Sequence, residues 1–494
     1  MRKGGKTLAE ATHPIKKSHA EWLLNNLIRN AGTKYGHEYG FERIRDADDY
    51  RACVPLISYE DILPLIQDIC EGRSDVLFAG KPVAFEKTGG SEGGEKIIPY
   101  SHESIKDFRN ALFPWVERLS KTYALGSGQA YMAISPALRA AKTTASGVPI
   151  GLPDGAYLGE DALEFFTNLS AVPPEVGAIT SFEEWQIATL YHLLRAFDLK
   201  VISVWSPTFM TSLLDGILAR KNELATLFRS ARTHEDTEAL KRLDRWDGID
   251  TTSLWPNLKL VSCWTDGASA PYAAALAERT PQAAIEGKGL LLTEGVVTVP
   301  DMDGYPLPAL ESGFFEFLDR RGHSHLYSEL DDGEIYEVVM TTAGGLYRYR
   351  AGDSVRCCGY INDLPVLRFV GRCGVFSDLV GEKLSDAFVA DCLARARLSG
   401  ILTPIPDEPG YCLLTDTSEW KNGKLIELEN ALCLNPQYIY ALKMRQLRPL
   451  QAKHVPDLTK RYTQYAISHG RRLGDVKIPA LCVEPQWLTE VSKL

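Results

Sequence analysis

Two apolar runs, Lys200-Val201-Ile202-Ser203-Val204-Trp205 and Leu258-Lys259-Leu260-Val261-Ser262-Cys263-Trp264, have strand length and are separated by helical spacing from Phe209 to Phe228. Strands alternating with helices predict a mixed α/β domain. Farther on, Gly313 to Leu318, Glu334 to Thr341 and Leu346 to Arg350 read as strands, with turn residues Asp331-Asp332-Gly333 and Gly344-Gly345 between them. These predict antiparallel hairpins. Toward the start, His19 to Ile28 carries apolar residues at helical spacing and predicts a surface helix, and Tyr59 to Ile69 reads as a short helix. The apolar runs Asp75 to Phe78 and Val83-Ala84-Phe85 then place a strand just before a glycine-rich segment.

The chain has 494 residues, beyond the roughly 250 to 300 at which a single hydrophobic core stops growing, so two or more domains are expected. The strand-like run Leu367 to Gly374 ends in glycines, and the sequence beyond it resumes with its own signals, a strand candidate at Gly410 to Leu414 and a helix candidate at Leu458 to Ser468. This predicts a large domain over residues 1–372 and a small α+β domain over 373–494. A net charge of −10 leaves no cationic footprint for a phosphate backbone, which argues against a nucleic-acid partner. The basic start Met1-Arg2-Lys3-Gly4-Gly5-Lys6 leads into no apolar core, and no stretch reaches about 18 apolar residues, so neither secretion nor membrane insertion is expected. Ten cysteines without a CxxC pair fit free thiols of a cytoplasmic protein, packed as small hydrophobes.

Three segments can carry chemistry. In Thr88-Gly89-Gly90-Ser91-Glu92-Gly93-Gly94-Glu95-Lys96, the glycines permit close backbone approach, so main-chain N–H groups, two hydroxyls and the Lys96 ammonium can wrap phosphates. A plain surface loop is the alternative. The segment is not a Walker loop, since Glu95 precedes Lys96 and Ile97 follows it, and it is not a GxGxxG fingerprint. Gly89-Gly90-Ser91-Glu92-Gly93 fits the GxSxG elbow of hydrolases in form only, because that elbow needs a helix after the serine and Lys96-Ile97-Ile98-Pro99 reads as a strand. The ten histidines include no HExxH pair.

In the second segment, Leu290-Leu291-Leu292-Thr293-Glu294-Gly295, a carboxylate sits at a strand's exit, where it can hold Mg2+ beside substrate phosphates or simply be solvated. The third, Gly345 to Asp353, alternates aromatic and cationic residues on a strand, with Tyr347 and Tyr349 on one face and an acid in a glycine turn. Such an acid can accept ribose hydroxyls; cross-strand charge pairing explains the same pattern.

Taken in order, these segments resemble the auxin-responsive promoter family of acyl-acid amido synthetases, a branch of the adenylate-forming superfamily that includes acyl-CoA ligases and luciferases. The likeness extends to Tyr59-Glu60-Asp61 with Leu63-Pro64, Lys96-Ile97-Ile98-Pro99, Phe315-Glu316-Phe317 and Lys477-Ile478-Pro479. By that resemblance Thr88, Gly89, Ser91, Gly93 and Lys96 match the phosphate loop, with Gly90 where the family usually has Thr. Thr293-Glu294 matches the motif whose glutamate serves the metal, with Leu290 where an aromatic is usual, and Tyr349-Arg350-Ala351-Gly352-Asp353 matches the family's YRxGD unchanged, putting Asp353 on the ribose. Arg372 matches the arginine of the inter-domain hinge, Lys383 a lysine just beyond it, and Lys477 the lysine that reaches the α-phosphate and acyl carbonyl.

The resemblance implies an enzyme that uses ATP and Mg2+ to activate a small carboxylic acid as acyl-AMP and passes the acyl group to an amine such as an amino acid. Lys96, Arg372 and Lys477 are the catalytic candidates, Glu294 the metal ligand. Two other readings stand beside it, a ligase with a thiol acceptor and a non-catalytic nucleotide-binding protein. Trp205, Trp264 and Tyr131 are candidates for the acid pocket or, equally, for core packing.

Overall fold

The computed structural model describes residues 9–87, 96–124, 128–132, 142–151, 169–231, 233–372, 376–377, 379–380, 382, 384–405, 409–443, 446–471 and 473–493. Two compact units emerge, one within Met1–Thr122, Arg139–Asn168 and Lys288–Phe369, the other within Tyr123–Leu138, Leu169–Gly287 and Val370–Leu494.

The first unit is built on a five-stranded sheet in the order Ser324–His325, Phe314–Leu318, Ile335–Thr341, Tyr349–Ile361, Leu364–Arg372. The expected antiparallel pairing is present, with Phe314 opposite Thr341 and Met340 opposite Tyr349. Asn362 and Asp363 both have positive φ, 47° and 67°, the backbone of a two-residue hairpin turn whose twist matches the strands it joins. The helix Ala9–Asn30, expected at the surface, drives one face into this core. Leu23 and Leu27 are buried there, and His19 accepts the Phe315 N–H through Nε2 at 3.1 Å while stacking on Phe314. Burial without a charged partner pushes the His19 pKa down to about 3. A second sheet in this unit pairs Ala84–Lys87 with Ile97–Tyr100 in antiparallel register and carries Pro149–Ile150 and Lys142–Thr143 on its other side.

The second unit contains a parallel sheet in the order Gln129–Met132, Leu199–Ser203, Leu260–Ser262, Ala284–Glu286. Helices such as Phe182–Arg195, Pro207–Ala219 and Ala270–Arg279 bury a continuous apolar cluster against it, which is why the strands read as unbroken hydrophobic runs. Its chain-terminal part folds as α+β: Ile401–Pro404 pairs antiparallel and Gln451–His454 parallel with Tyr411–Thr415, and the helices Asp386–Ala396, Lys424–Leu432 and Leu458–Ser468 cover that sheet. No helix among the described residues is long and apolar enough to cross a membrane.

Candidate functional site

Lys87 and Ile97 are cross-strand partners, so the glycine-rich segment joins two antiparallel strands and no helix follows it as a hydrolase elbow requires. Thr88, Gly89, Gly90, Ser91 and Gly93 lie outside the described residues. Lys96 is described, and its ammonium stands 5.3 Å from the ring centre of Tyr59, within cation–π range. The Tyr59 hydroxyl accepts the Ile97 N–H at 2.9 Å, so one tyrosine holds both the lysine and the strand it introduces. Tyr59 is placed by a helix start. The Asp61 carboxylate accepts the N–H and the hydroxyl of Ser58 at 2.7 and 2.8 Å, bonds that also hold its pKa below the usual range, and the helix Tyr59–Cys70 begins there.

The residues just before Tyr59 add to the edge of the third motif. Ile57 N–H donates to Arg348 O at 3.1 Å, and Arg350 N–H to Ile57 O at 2.9 Å. Across from them, Leu291–Leu292 and Gly295–Val296 form a hairpin with Thr293-Glu294 as its two turn residues. The Tyr349 hydroxyl donates to Glu294 Oε1 at 3.4 Å, and Tyr100 donates to Thr293 O, so the turn is tied from both sides. Burial and then the Glu294 charge push the Tyr349 pKa up, which keeps its hydroxyl a permanent donor. Leu290, where the family usually carries an aromatic, is buried core here, its N–H bonded to Thr298 Oγ1 at 2.8 Å.

Two sequence expectations about the third motif need correction. Alternation would put Tyr347 and Tyr349 on one face, but Arg348 sits at φ 49°, in the left-handed region, and the strand starts only at Tyr349. Tyr347 instead packs on Tyr35, with ring centres 5.0 Å apart, and donates to Leu77 O at 2.8 Å. The strained turn is held by a buried ion pair. Arg348 donates through Nε and one terminal nitrogen to the two Glu316 oxygens at 3.0 and 2.9 Å, and through the other to the carbonyls of Arg51 and Val54 at 2.8 Å each. Gly345, at φ 88°, passes so close to Leu77 that an added Cβ would lie 2.5 Å from the Leu77 Cβ.

Asp353, expected in a glycine turn, lies inside the strand Tyr349–Ile361. Arg350 is opposite Val339 and Ser354 opposite Glu337, so residues 351–353 face a single residue, and Gly352 takes φ 72° in this bulge. The bulge turns Asp353 inward, to 3% exposure.

The other sequence-predicted residues belong to the second unit. Arg372 is exposed at the end of its strand, its backbone N–H bonded to the Asp386 carboxylate. That carboxylate, pushed up by burial, also accepts the N–H groups of Ala480 and Leu481 at 2.9 and 2.8 Å. Lys477, on the same segment, is exposed and stands 4.2 Å from the ring centre of Trp264. Trp205 and Trp264 lean together with centres 6.0 Å apart, whereas Tyr131 is core. Lys383 lies outside the described residues. Sequence reasoning gave no role to Tyr59, Tyr100 or Asp386. The only signal was the Tyr59-Glu60-Asp61 match, which carried no role with it.

Comparison with known proteins adds the context. Residues 5–285 match the model of the GH3 family N-terminal domain and residues 307–372 that of the GH3 family central domain. A jasmonoyl–L-amino acid synthetase, JAR6 of Nicotiana attenuata, is 26% identical over 417 residues, 74% of this chain and 70% of the relative. A probable indole-3-acetic acid-amido synthetase of Oryza sativa subsp. japonica, GH3.2, is 25% identical over 96% of this chain and 89% of its own length. The solved AtGH3.15 acyl acid amido synthetase in complex with 2,4-DB superposes with a TM-score of 0.83 at 18% identity, covering 100% of this chain and 97% of its own. A 2-hydroxyisobutyryl-CoA ligase in complex with 2-HIB-AMP shares the fold more distantly, with a TM-score of 0.54 at 11% identity over 98% of this chain and 90% of its own.

Proposed function

The chain belongs to the GH3 family, and on that premise we propose that it is an ATP-dependent acyl-acid amido synthetase acting on a small carboxylic acid and an amine, in the cytoplasm. One observation carries the reading. Lys96, Tyr59, Tyr349 and Glu294 come from four separated segments and gather in one place, where Tyr59 holds Lys96 and the Tyr349 hydroxyl is electrostatically coupled to both Glu294 and Tyr59.

A carboxylate is a poor electrophile, so amide formation in water needs its oxygen turned into a leaving group. The acid's oxygen attacks the α-phosphorus of ATP and the bond to pyrophosphate breaks. The amine nitrogen then attacks the acyl carbon, the bond to AMP breaks, and the nitrogen gives up a proton. Lys96 and the main-chain donors of Thr88, Gly89, Gly90, Ser91 and Gly93 would hold the phosphates, Thr293 and Tyr349 would border the nucleotide, and Asp353 would take the ribose hydroxyls. Lys477 would stabilise charge at the α-phosphate, the preorganised electrostatics that usually dominate such transfers.

Among the described residues no three His, Cys, Asp or Glu side chains cluster as a metal site. A cation at Glu294 would lean on one or two carboxylates and on substrate phosphates, the environment Mg2+ favours, and would neutralise phosphate charge there. Residues 373–494 would turn as a small domain about Arg372 to admit the amine; a tail trapped in one orientation that still completes both half-reactions would refute this.

Acid-dependent exchange of pyrophosphate into ATP across an acid panel tests the first step, and product masses with CoA or with each amino acid test the acceptor. Exchange with some acid and an amide product are expected, with Asp353→Ala greatly slowed. No exchange with any acid would favour a non-catalytic nucleotide-binding protein, a thioester product an acyl-CoA ligase.

A further inference from the structure

The first unit holds a cavity of about 250 Å³ whose lining includes no residue of the three chemical motifs. Its walls come from the end of the helix Ala9–Asn30, from Phe78 to Lys81, and from the start of the helix His102–Tyr123. Phe78 and Ala343, both buried, give it an apolar lining. The two buried polar side chains are spent on the fold: Asn30 accepts the Ala79 N–H at 2.9 Å and donates to Asn26 Oδ1 at 3.1 Å, and Ser101 donates to Ala343 O at 2.8 Å. Arg29, Lys81, His102 and Glu103 remain. Arg29 and Glu103 pair at 3.4 Å, and Glu103 also reaches Lys106 at 3.8 Å. Lys81 and His102 make no ion pair or side-chain hydrogen bond among the described residues. Two cations less one carboxylate leave one positive charge along the cavity, and a protonated His102 would add a second, on a chain whose net charge is −10.

We propose that this cavity binds a small organic acid by its carboxylate, at a site apart from the nucleotide motifs. Arg29 and Lys81 hold the carboxylate through charge-assisted hydrogen bonds, and Phe78 and Ala343 cover its apolar body. Phosphate or pyrophosphate fits less well. Either brings more negative charge than the lining balances, sets it beside Glu103, and leaves the apolar lining unused. The volume falls below the roughly 300 to 1,000 Å³ of sites for drug-sized ligands, so the acid is small. Ala343 and the helix His102–Tyr123 also wall the cleft beside Glu294, through Ser104 and Phe108, so the two sites share a wall. Nothing in this second site depends on the adenylation reading, since the first unit alone builds it.

The test uses the full chain, with Lys81 as reporter and sodium benzoate as probe. Acetic anhydride labelling of Lys81, read by peptide mass, should slow as benzoate rises, by about fourfold at three times the dissociation constant, while Lys121 at the far end of the same helix labels as before. Benzamide, the neutral analogue, should give no protection. The benzoate concentration that halves Lys81 labelling should rise roughly two- to fivefold in Arg29→Gln, the worth of an exposed ion pair, and fall by a similar factor in Glu103→Gln. Arg29→Gln should leave acid-dependent exchange unchanged. The proposal is overturned if benzoate leaves Lys81 labelling unaltered, if benzamide protects as well as benzoate, if only pyrophosphate protects, or if Arg29→Gln abolishes exchange, which would make the cavity part of the catalytic site. A protein that exchanges with no acid and still shows benzoate protection at Lys81 loses the adenylation reading and keeps this site; an active protein without that protection loses this site alone.

Discussion

Arg348 and Lys477 both lie on segments that the sequence marks for function, and the fold treats them in opposite ways. Arg348 is almost entirely buried and spends its guanidinium on Glu316 and two backbone carbonyls. Lys477 is exposed on a pinned backbone and rests on an aromatic ring. Arg350, two residues past Arg348, stands between them, paired with Glu337 at 2.7 and 3.0 Å but half exposed. A cation bound on every side by carboxylate and carbonyl can fix a strained turn and has nothing left for a substrate. A cation over a ring is attracted without being neutralised.

The sharpest way to break this contrast is Glu316→Ala, which leaves the Arg348 charge buried and unpaired. Chemical denaturation should show a loss of about 3 to 5 kcal/mol. A loss no larger than that of a surface pair would mean that Arg348 is not fixed as described. Lys477→Ala should do the reverse: acid-dependent exchange falls by roughly 10²- to 10³-fold, as when one preorganised donor is removed, while the melting temperature stays put.

Protonating His19 would make a second buried cation, this one without a Glu316, and burial resists it. Its folded pKa is lowered to about 3, so below the ordinary value of 6.5 the unfolded chain takes up a proton that the folded chain refuses. The stability is present above that value and is lost as pH falls from 6.5 toward 3, by ~1.4 kcal/mol per pH unit. Unfolding free energies at pH 6.5 and 5 should therefore differ by about 1.6 kcal/mol from this group alone, a part of the slope that His19→Gln removes. The smallest effect belongs to Glu337→Ala, which should cost under about 1 kcal/mol because the Arg350 it leaves behind is solvated.

Much of the fold is legible in the residues. The helix candidate Leu458 to Ser468 is a helix over that span, and the apolar runs around Val201 and Val261 are neighbouring strands of one sheet. The hairpins after Gly313 pair as their turn residues predict. Of the candidate site, Lys96, Glu294 and Tyr349 were singled out from the sequence, and the fold brings them together around Tyr59. What escaped was set by single backbone angles and distant partners. Nothing in the string Tyr347-Arg348-Tyr349 announces that Arg348 takes a positive φ, and without that the alternation of side chains is misread. Tyr59 and Tyr100 act through hydroxyls bonded to residues about 40 and 190 positions away in sequence, a relation that periodicity cannot express.

The sequence by itself determined the mixed α/β class, the order of the elements and the motif residues that match the family, because periodicity, turn chemistry and motif spacing are local properties of the chain. Only the tertiary structure decided which charges are buried in the fold and which lie exposed, that Arg348 is held by Glu316 and that Lys477 stands over Trp264. The reason is physical: a charge's role depends on its burial and its partners, and both are supplied by segments far off in the chain.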